Sequence, residues 1–127
     1  MTTFSEWGGD TNFLSFDYVE AHISASNGNS LRMVESLNKM AESKVKRDPS
    51  LTERAGLAFF NLAKKLDTQN PKTNRIAAKE SLRYAIEYYR LTKRNFVFDG
   101  LTQGDVTDYI YNPSSKISLE NLSIRLT

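Results

Sequence analysis

Between Glu80 and Phe96 the chain reads ESLRYAIEYYRLTKRNF, with three tyrosines and four basic residues in seventeen positions. Cations interleaved with aromatic rings are the chemistry of a nucleic-acid contact, in which Lys and Arg meet phosphates and ring faces stack on bases. The same letters at helical spacing also describe a buried helix with a solvated edge. At about 100° per residue, Leu82, Ile86, Tyr89, Ala78 and Ala85 share one face, which Tyr84, Tyr88, Ala77 and Leu91 extend. That covers more of the circumference than a surface helix needs, so the three tyrosines are read as packing residues. On the remaining strip Glu80 and Arg83, Arg83 and Glu87, and Glu87 and Arg90 fall three or four apart and pair along the surface.

A cationic surplus remains after that pairing, because Lys72 to Arg94 hold seven basic residues against two acidic ones. Lys44, Lys46 and Arg47 close one expected helix, Lys64 and Lys65 a second, and Arg90, Lys93 and Arg94 a third. Cations near helix C-termini offset the macrodipole, which accounts for part of the clustering. Short connections reverse successive helices, so the first and third of these ends meet and the second lies opposite. Lys44, Lys46, Arg47, Arg90, Lys93 and Arg94 therefore form the candidate polyanion-binding pole. It would grip the DNA or RNA backbone without reading sequence, since no zinc finger or RNP aromatic pair is present.

Charge along the chain sharpens this picture. Residues 1–30 hold four acidic residues and no Lys or Arg, residues 31–94 hold fifteen basic against seven acidic, and residues 95–127 hold two against four. An acidic head, a basic middle and a mildly acidic tail suit either a polyanion partner or ends that fold over the middle of the same or a neighbouring chain.

Enzymatic chemistry finds little support. There is no cysteine, a single histidine, His22, no Gly-rich phosphate loop, no H-E-x-x-H and no G-x-S-x-G. Asp17 with Glu20, and Asp105 with Asp108, have helix-face spacing, but beside Asn, Ser and Gly they read as caps and turn residues. No catalytic residue, no cofactor and no metal site is expected. Phe4, Trp7 and Phe13 lie in a polar stretch with Gly8 and Gly9 and little local core to enter, so they are the candidate partner anchors.

The elements that must position these residues are mainly helical. Residues 1–16 read as an acidic extended arm, residues 17–94 as a core of four helices at about 17–26, 30–46, 50–66 and 71–93, and residues 95–127 as a β-rich tail. Asn27-Gly28-Asn29 separates the first two helices. Met33, Val34, Leu37, Met40 and Ala41 mark the inner face of the second. Ser50-Leu51-Thr52-Glu53 is a capping box in sequence form and starts the third. Asp67 to Asn70 is read as its break, and Pro71 suits the first turn of the fourth. In the tail, NFVF, VTDYIYN and ISLENLSIRLT alternate roughly by two between turn residues and predict a short β-hairpin with an extended segment, packed on the core or on another subunit.

A 127-residue chain with 39% apolar and 25% charged residues fits one domain. No window approaches a membrane span, and the N-terminus lacks a basic n-region and an apolar run, so a cytoplasmic protein or a member of an intracellular or viral assembly is expected rather than a secreted or membrane one. The function expected is that of a non-catalytic accessory or structural subunit working through contacts of its arm and tail with other protein subunits. The alternative is a sequence-independent nucleic-acid-binding protein, and a third reading is a small inhibitor that docks its acidic arm on a partner.

Overall fold

Two long helices, Thr52–Gln69 and Pro71–Leu91, fold back on each other across a single intervening residue. They belong to a computed structural model that describes residues 30–126 except Asn70 and Arg94. Numbered along the described chain, helix α1 is Ser30–Arg47, α2 is Thr52–Gln69, α3 is Pro71–Leu91, strand β1 is Phe96–Asp99, α4 is Gln103–Tyr111 and β2 is Ser123–Leu126, with a single 3-10 turn at Pro49–Leu51. The fold is mainly helical with one small antiparallel sheet. The expected helix at 17–26, and with it Asp17, Glu20 and His22, lies outside the described residues, as do Phe4, Trp7 and Phe13.

The sharp reversal between α2 and α3 follows from Pro71. Pro71 opens α3, where a proline fits because its missing N–H has no partner to lose in the first helical turn. The two helices then pack antiparallel. Gly56 approaches the Tyr89 ring so closely that a Cβ there would stand 3.2 Å from it, Ser81 Oγ donates to the Phe59 carbonyl at 2.8 Å, and Phe59 stacks on Tyr88 with centroids 5.7 Å apart. Tyr88 and Tyr89 are buried and Tyr84 is half-buried, so the aromatic content of ESLRYAIEYYRL faces neighbours as its spacing predicts. Leu91 departs from that expectation, since it is 64% exposed at the helix end.

Helix α1 lies across this pair. Val34, Leu37 and Ala41 are buried at three and four spacing, and Asn38 is held by the Tyr88 hydroxyl, which donates to its side-chain oxygen at 2.8 Å. The start of α2 differs from the predicted Ser50 to Glu53 capping box. Asp48 caps the 3-10 turn Pro49–Leu51 that leads into α2, accepting from the Ser50 amide at 3.1 Å, and Thr52 opens α2 with its hydroxyl donating to the Pro49 carbonyl at 2.7 Å. Asp48 wins because a carboxylate two residues before a backbone amide closes an Asx turn, and Pro49 presets the φ of that turn.

The end of α2 also differs. Asp67 does not break the helix, which runs on to Gln69. Aspartate disfavours helix interiors when its side chain competes for backbone groups, but the Asp67 carboxylate is engaged by other parts of the molecule. The C-terminal tail likewise departs from the hairpin reading. Of VTDYIYN, expected as a strand, Val106–Tyr111 lie within α4 and Asn112 is its C-cap, and the N-terminus of α4 carries a complete capping box: the Asp105 amide donates to Thr102 Oγ1 at 3.0 Å and the Thr102 amide to Asp105 Oδ2 at 3.2 Å. Val106 and Tyr109, three apart, are the buried face of this helix. The two strands of the sheet flank α4 and pair antiparallel with Phe96 opposite Leu126 and Asp99 opposite Ser123. A diagonal cross-strand ion pair between Arg125 and Asp99, at 2.8 Å, lies on the exposed side.

Candidate functional site

The most connected polar group described is a buried aspartate. Asp67 is 4% exposed. Its Oδ1 accepts from the Tyr109 hydroxyl at 2.7 Å, and its Oδ2 accepts from the Leu119 amide at 2.9 Å and more distantly from Ser118 Oγ at 3.4 Å. Arg75 completes the group. Its NH1 stands 3.9 Å from Asp67 Oδ1, its guanidinium carbon lies 4.9 Å from the centre of the Tyr109 ring, and its NH2 donates to the carbonyls of Ser115 and Ile117. Lys79, one turn further along α3, donates to the Asn112 carbonyl at 3.2 Å.

Burial, aided by the Asp67 hydrogen bond, pushes the Tyr109 phenol well above its ordinary range, so it is a neutral donor. Burial also draws the Lys79 ammonium below its usual value, with the charge of Arg75 adding to the effect. Each donor ends on a carbonyl or carboxylate of another element, and the result is a clasp fastening residues 109–119 to α2 and α3. Asp67, Arg75 and Tyr109 were missed as a group by the sequence, where Asp67 sits in a breaker-rich run and Tyr109 in an apparent strand.

The carboxylate pair at Asp105 and Asp108 resolves into local structure. Asp105 serves the capping box, and Asp108 accepts from Asn112 Nδ2 at 3.0 Å, a bond that with a further one from Ser115 holds its carboxyl below the usual carboxylate range. The strip on α3 is self-paired in part as expected, with Arg83 bridging Glu80 and Glu87. Glu80 holds the Arg83 guanidinium above its ordinary value. Among the described residues no three His, Cys, Asp or Glu side chains gather as a metal site, and no helix is long and apolar enough to cross a membrane.

Of the six residues of the candidate basic pole, Lys46, Arg47, Arg90 and Lys93 are exposed, Lys44 is half-buried and Arg94 lies outside the described residues. Lys44, Lys46 and Arg47 occupy the last turn of α1 and Arg90 that of α3. Hydrogen bonds from Ser30 to Asn74 and from Tyr88 to Asn38 link α1 to α3 in the same sense along both helices, which directs these two ends the same way. Lys93 follows α3 in the left-handed conformation, φ 61°.

A different feature singles out Arg90. A solvent-open trough of about 680 Å³ is lined by Arg90, Asn95, Phe96–Phe98 of β1, and Leu101, Thr102 and Gln103 where the chain enters α4. None of its lining comes from β2, and among the described residues β2 is the only strand that pairs with β1, so the trough lies beside the other edge of β1. A second cavity of about 130 Å³ lies between α3, β1 and α4, and Arg90, Phe96 and Phe98 border both. Phe96 and Phe98 hold this edge in place, Phe96 against Tyr89 at 5.8 Å and Phe98 against Phe60 at 6.4 Å between centroids. Val97, on the opposite face of the strand, is 44% exposed. Nothing in the spacing of NFVF signals this trough, because it depends on which side of β1 receives β2. Compared with models of protein families, with curated proteins and with solved structures, the chain has no match.

Proposed function

We propose that this protein is a non-catalytic accessory or structural subunit of a larger assembly, acting through protein–protein contacts. The observation that carries the reading is the edge of β1 that no strand among the described residues pairs, which opens onto a trough of about 680 Å³. A free strand edge offers a row of backbone donors and acceptors to another chain, and proteins that do not use such an edge usually cover or charge it. The buried polar groups around Asp67 support the same reading, being consumed in fastening the tail to the helices. The test is sedimentation of the full chain over a concentration series beside a mass measurement of the particle recovered from its native source. The expected result is a particle heavier than one chain, and a lone compact monomer in both would overturn the reading.

A second reading, sequence-independent binding to a nucleic-acid backbone, is favoured by the exposure of Lys46, Arg47, Arg90 and Lys93 and by the common direction of the α1 and α3 ends. It requires DNA or RNA binding that weakens steeply as salt rises, and no retardation of either at low salt overturns it.

A further inference from the structure

The trough along β1 has a complementary stretch in this chain's own sequence. We propose that the free edge of β1 receives residues Thr3–Trp7 of a second copy as an added strand, with Glu6 on Arg90 and Phe4 over the cavity beside Phe96 and Phe98. The proposal rests on the assembly reading above and names the contact that builds the assembly.

Charge makes the first part of the case. Arg90 is the only charged residue that lines the trough, is exposed, and makes no ion pair among the described residues. An acidic segment matches it, and residues 1–30 carry four carboxylates and no Lys or Arg. Shape makes the second part. The four residues of β1 extend for about 13 Å, which a strand of four or five residues matches. Thr2-Thr3-Phe4-Ser5-Glu6-Trp7 is rich in β-branched and aromatic residues and is followed by Gly8-Gly9, which ends such a strand.

Alternation then fixes the pairing. Successive side chains of a strand point to opposite faces, so Phe4 and Glu6 share one face and Thr3, Ser5 and Trp7 the other. On β1, Phe96 and Phe98 point towards the helices and Val97 away from them. Arg90 borders the inner cavity as well as the trough. An added strand with Phe4 and Glu6 inward places the ring beside Ile86, Val106 and Ile110 and the carboxylate at Arg90, in a cavity that the Arg83–Glu87 ion pair also lines. Trp7 then lies outward on the side of exposed Val97.

Edge-to-edge pairing of two β1 strands is a poorer solution, because it sets one Arg90 trough against another. Exchange of an identical arm between copies needs no new surface, since each copy brings both the arm and its receptor.

The test uses the full chain in two charge reversals, Glu6→Lys and Arg90→Glu, with self-association followed by sedimentation. Each variant alone is expected to self-associate about tenfold more weakly, an attraction having become a repulsion of similar size. An equimolar mixture of the two is expected to regain the wild-type affinity, since each substituted arm meets the substituted trough and each native arm the native trough. Assembly of wild-type strength in both single variants overturns the proposal while leaving the assembly reading intact. Rescue in the doubly substituted chain but not in the mixture shows that the arm closes on its own chain and overturns the second-copy occupant. A wild-type chain that stays monomeric at every concentration, although its native particle is heavier, also overturns it.

Discussion

The hydroxyl of Tyr109 donates to the carboxylate of Asp67 at 2.7 Å across 42 residues of sequence, and it ties the last helix to the end of α2. Both partners are buried, at 0% and 4% exposure, so neither can turn to water when the other is removed. Tyr109→Phe leaves one lone pair of a buried carboxylate unmet and is expected to cost about 1–3 kcal/mol of unfolding free energy. Asp67→Ala leaves both the buried tyrosine hydroxyl and the Leu119 amide without their acceptor and is expected to cost more than Tyr109→Phe, about 2–5 kcal/mol. Denaturant unfolding checks both, with Tyr111→Phe as the control, since that ring is 70% exposed and its loss should be nearly silent.

Gly100 ends β1 with φ 93°, and a Cβ there would run into the carbonyl oxygen of Asn121. Both facts require glycine. Gly100→Ala is expected to destabilise the chain by about 1–3 kcal/mol. The damage should concentrate where β1 meets β2, so amide exchange would accelerate at Phe96–Asp99 and Ser123–Leu126 before it does in α2 and α3. Uniform acceleration across the molecule would contradict this account.

The helical hairpin was legible in the sequence because its signals are local. Pro71 marks the turn, and Ala77, Ala78, Leu82, Ala85, Tyr88 and Tyr89 repeat at helical spacing and are all buried. The tail was not, because its decisive contacts are distant. VTDYIYN carries strand-like letters, yet Thr102 and Asp105 cap it as a helix and Asp67 and Arg75 bind it to α2 and α3. A threonine three residues before an acidic residue was the available local signal, and the intervening Gly104 made it read as a turn. The trough at Arg90 had no local signal, since it arises from β1 pairing with a strand that begins 24 residues beyond its own end.

Buried tyrosines make stability depend on alkaline pH. Burial raises Tyr84 and Tyr89 to about 12 and moves Tyr88 and Tyr109 higher still. An unfolded chain releases these protons near the ordinary tyrosine value of about 10. Below that value both states hold the proton and pH has no leverage. Above it the unfolded state loses protons that the folded state keeps, so the unfolding free energy falls as pH rises from about 10 to about 12. Phenolate absorbance should show these four tyrosines ionising only as the protein unfolds, and their titration near 10 with the circular dichroism intact would refute the packing described.

Gly56 gives a test of how closely α2 and α3 approach. A Cβ added there would meet the Tyr89 ring at 3.2 Å, tighter than ordinary van der Waals contact, so a methyl group needs only a small movement of the ring and a larger side chain needs the helices to part. Gly56→Leu is expected to cost about 1–3 kcal/mol through overpacking. Gly56→Ala should cost far less, because the helix propensity gained on replacing glycine, about 0.5–1 kcal/mol, offsets the crowding. Equal losses in the two variants, measured by thermal unfolding, would mean that the ring does not sit against this position.

Lys93 separates stability from binding in one substitution. It occupies the left-handed region at φ 61° two residues beyond α3, where its amide donates to the Arg90 carbonyl at 3.2 Å. Glycine is the residue that region favours, and a lysine side chain there costs about 1–2 kcal/mol. Lys93→Gly is therefore expected to stabilise the fold by about 1 kcal/mol, because the side chain it removes is exposed. If the basic pole binds a nucleic-acid backbone, the same variant should bind more weakly at every sequence, and the salt dependence should flatten by about one released counterion. Unfolding in denaturant and a salt series of DNA binding, run on the same preparation, read the two effects independently. A variant that is more stable and binds DNA with an unchanged salt slope would remove Lys93 from the pole and leave Arg90 to the trough alone.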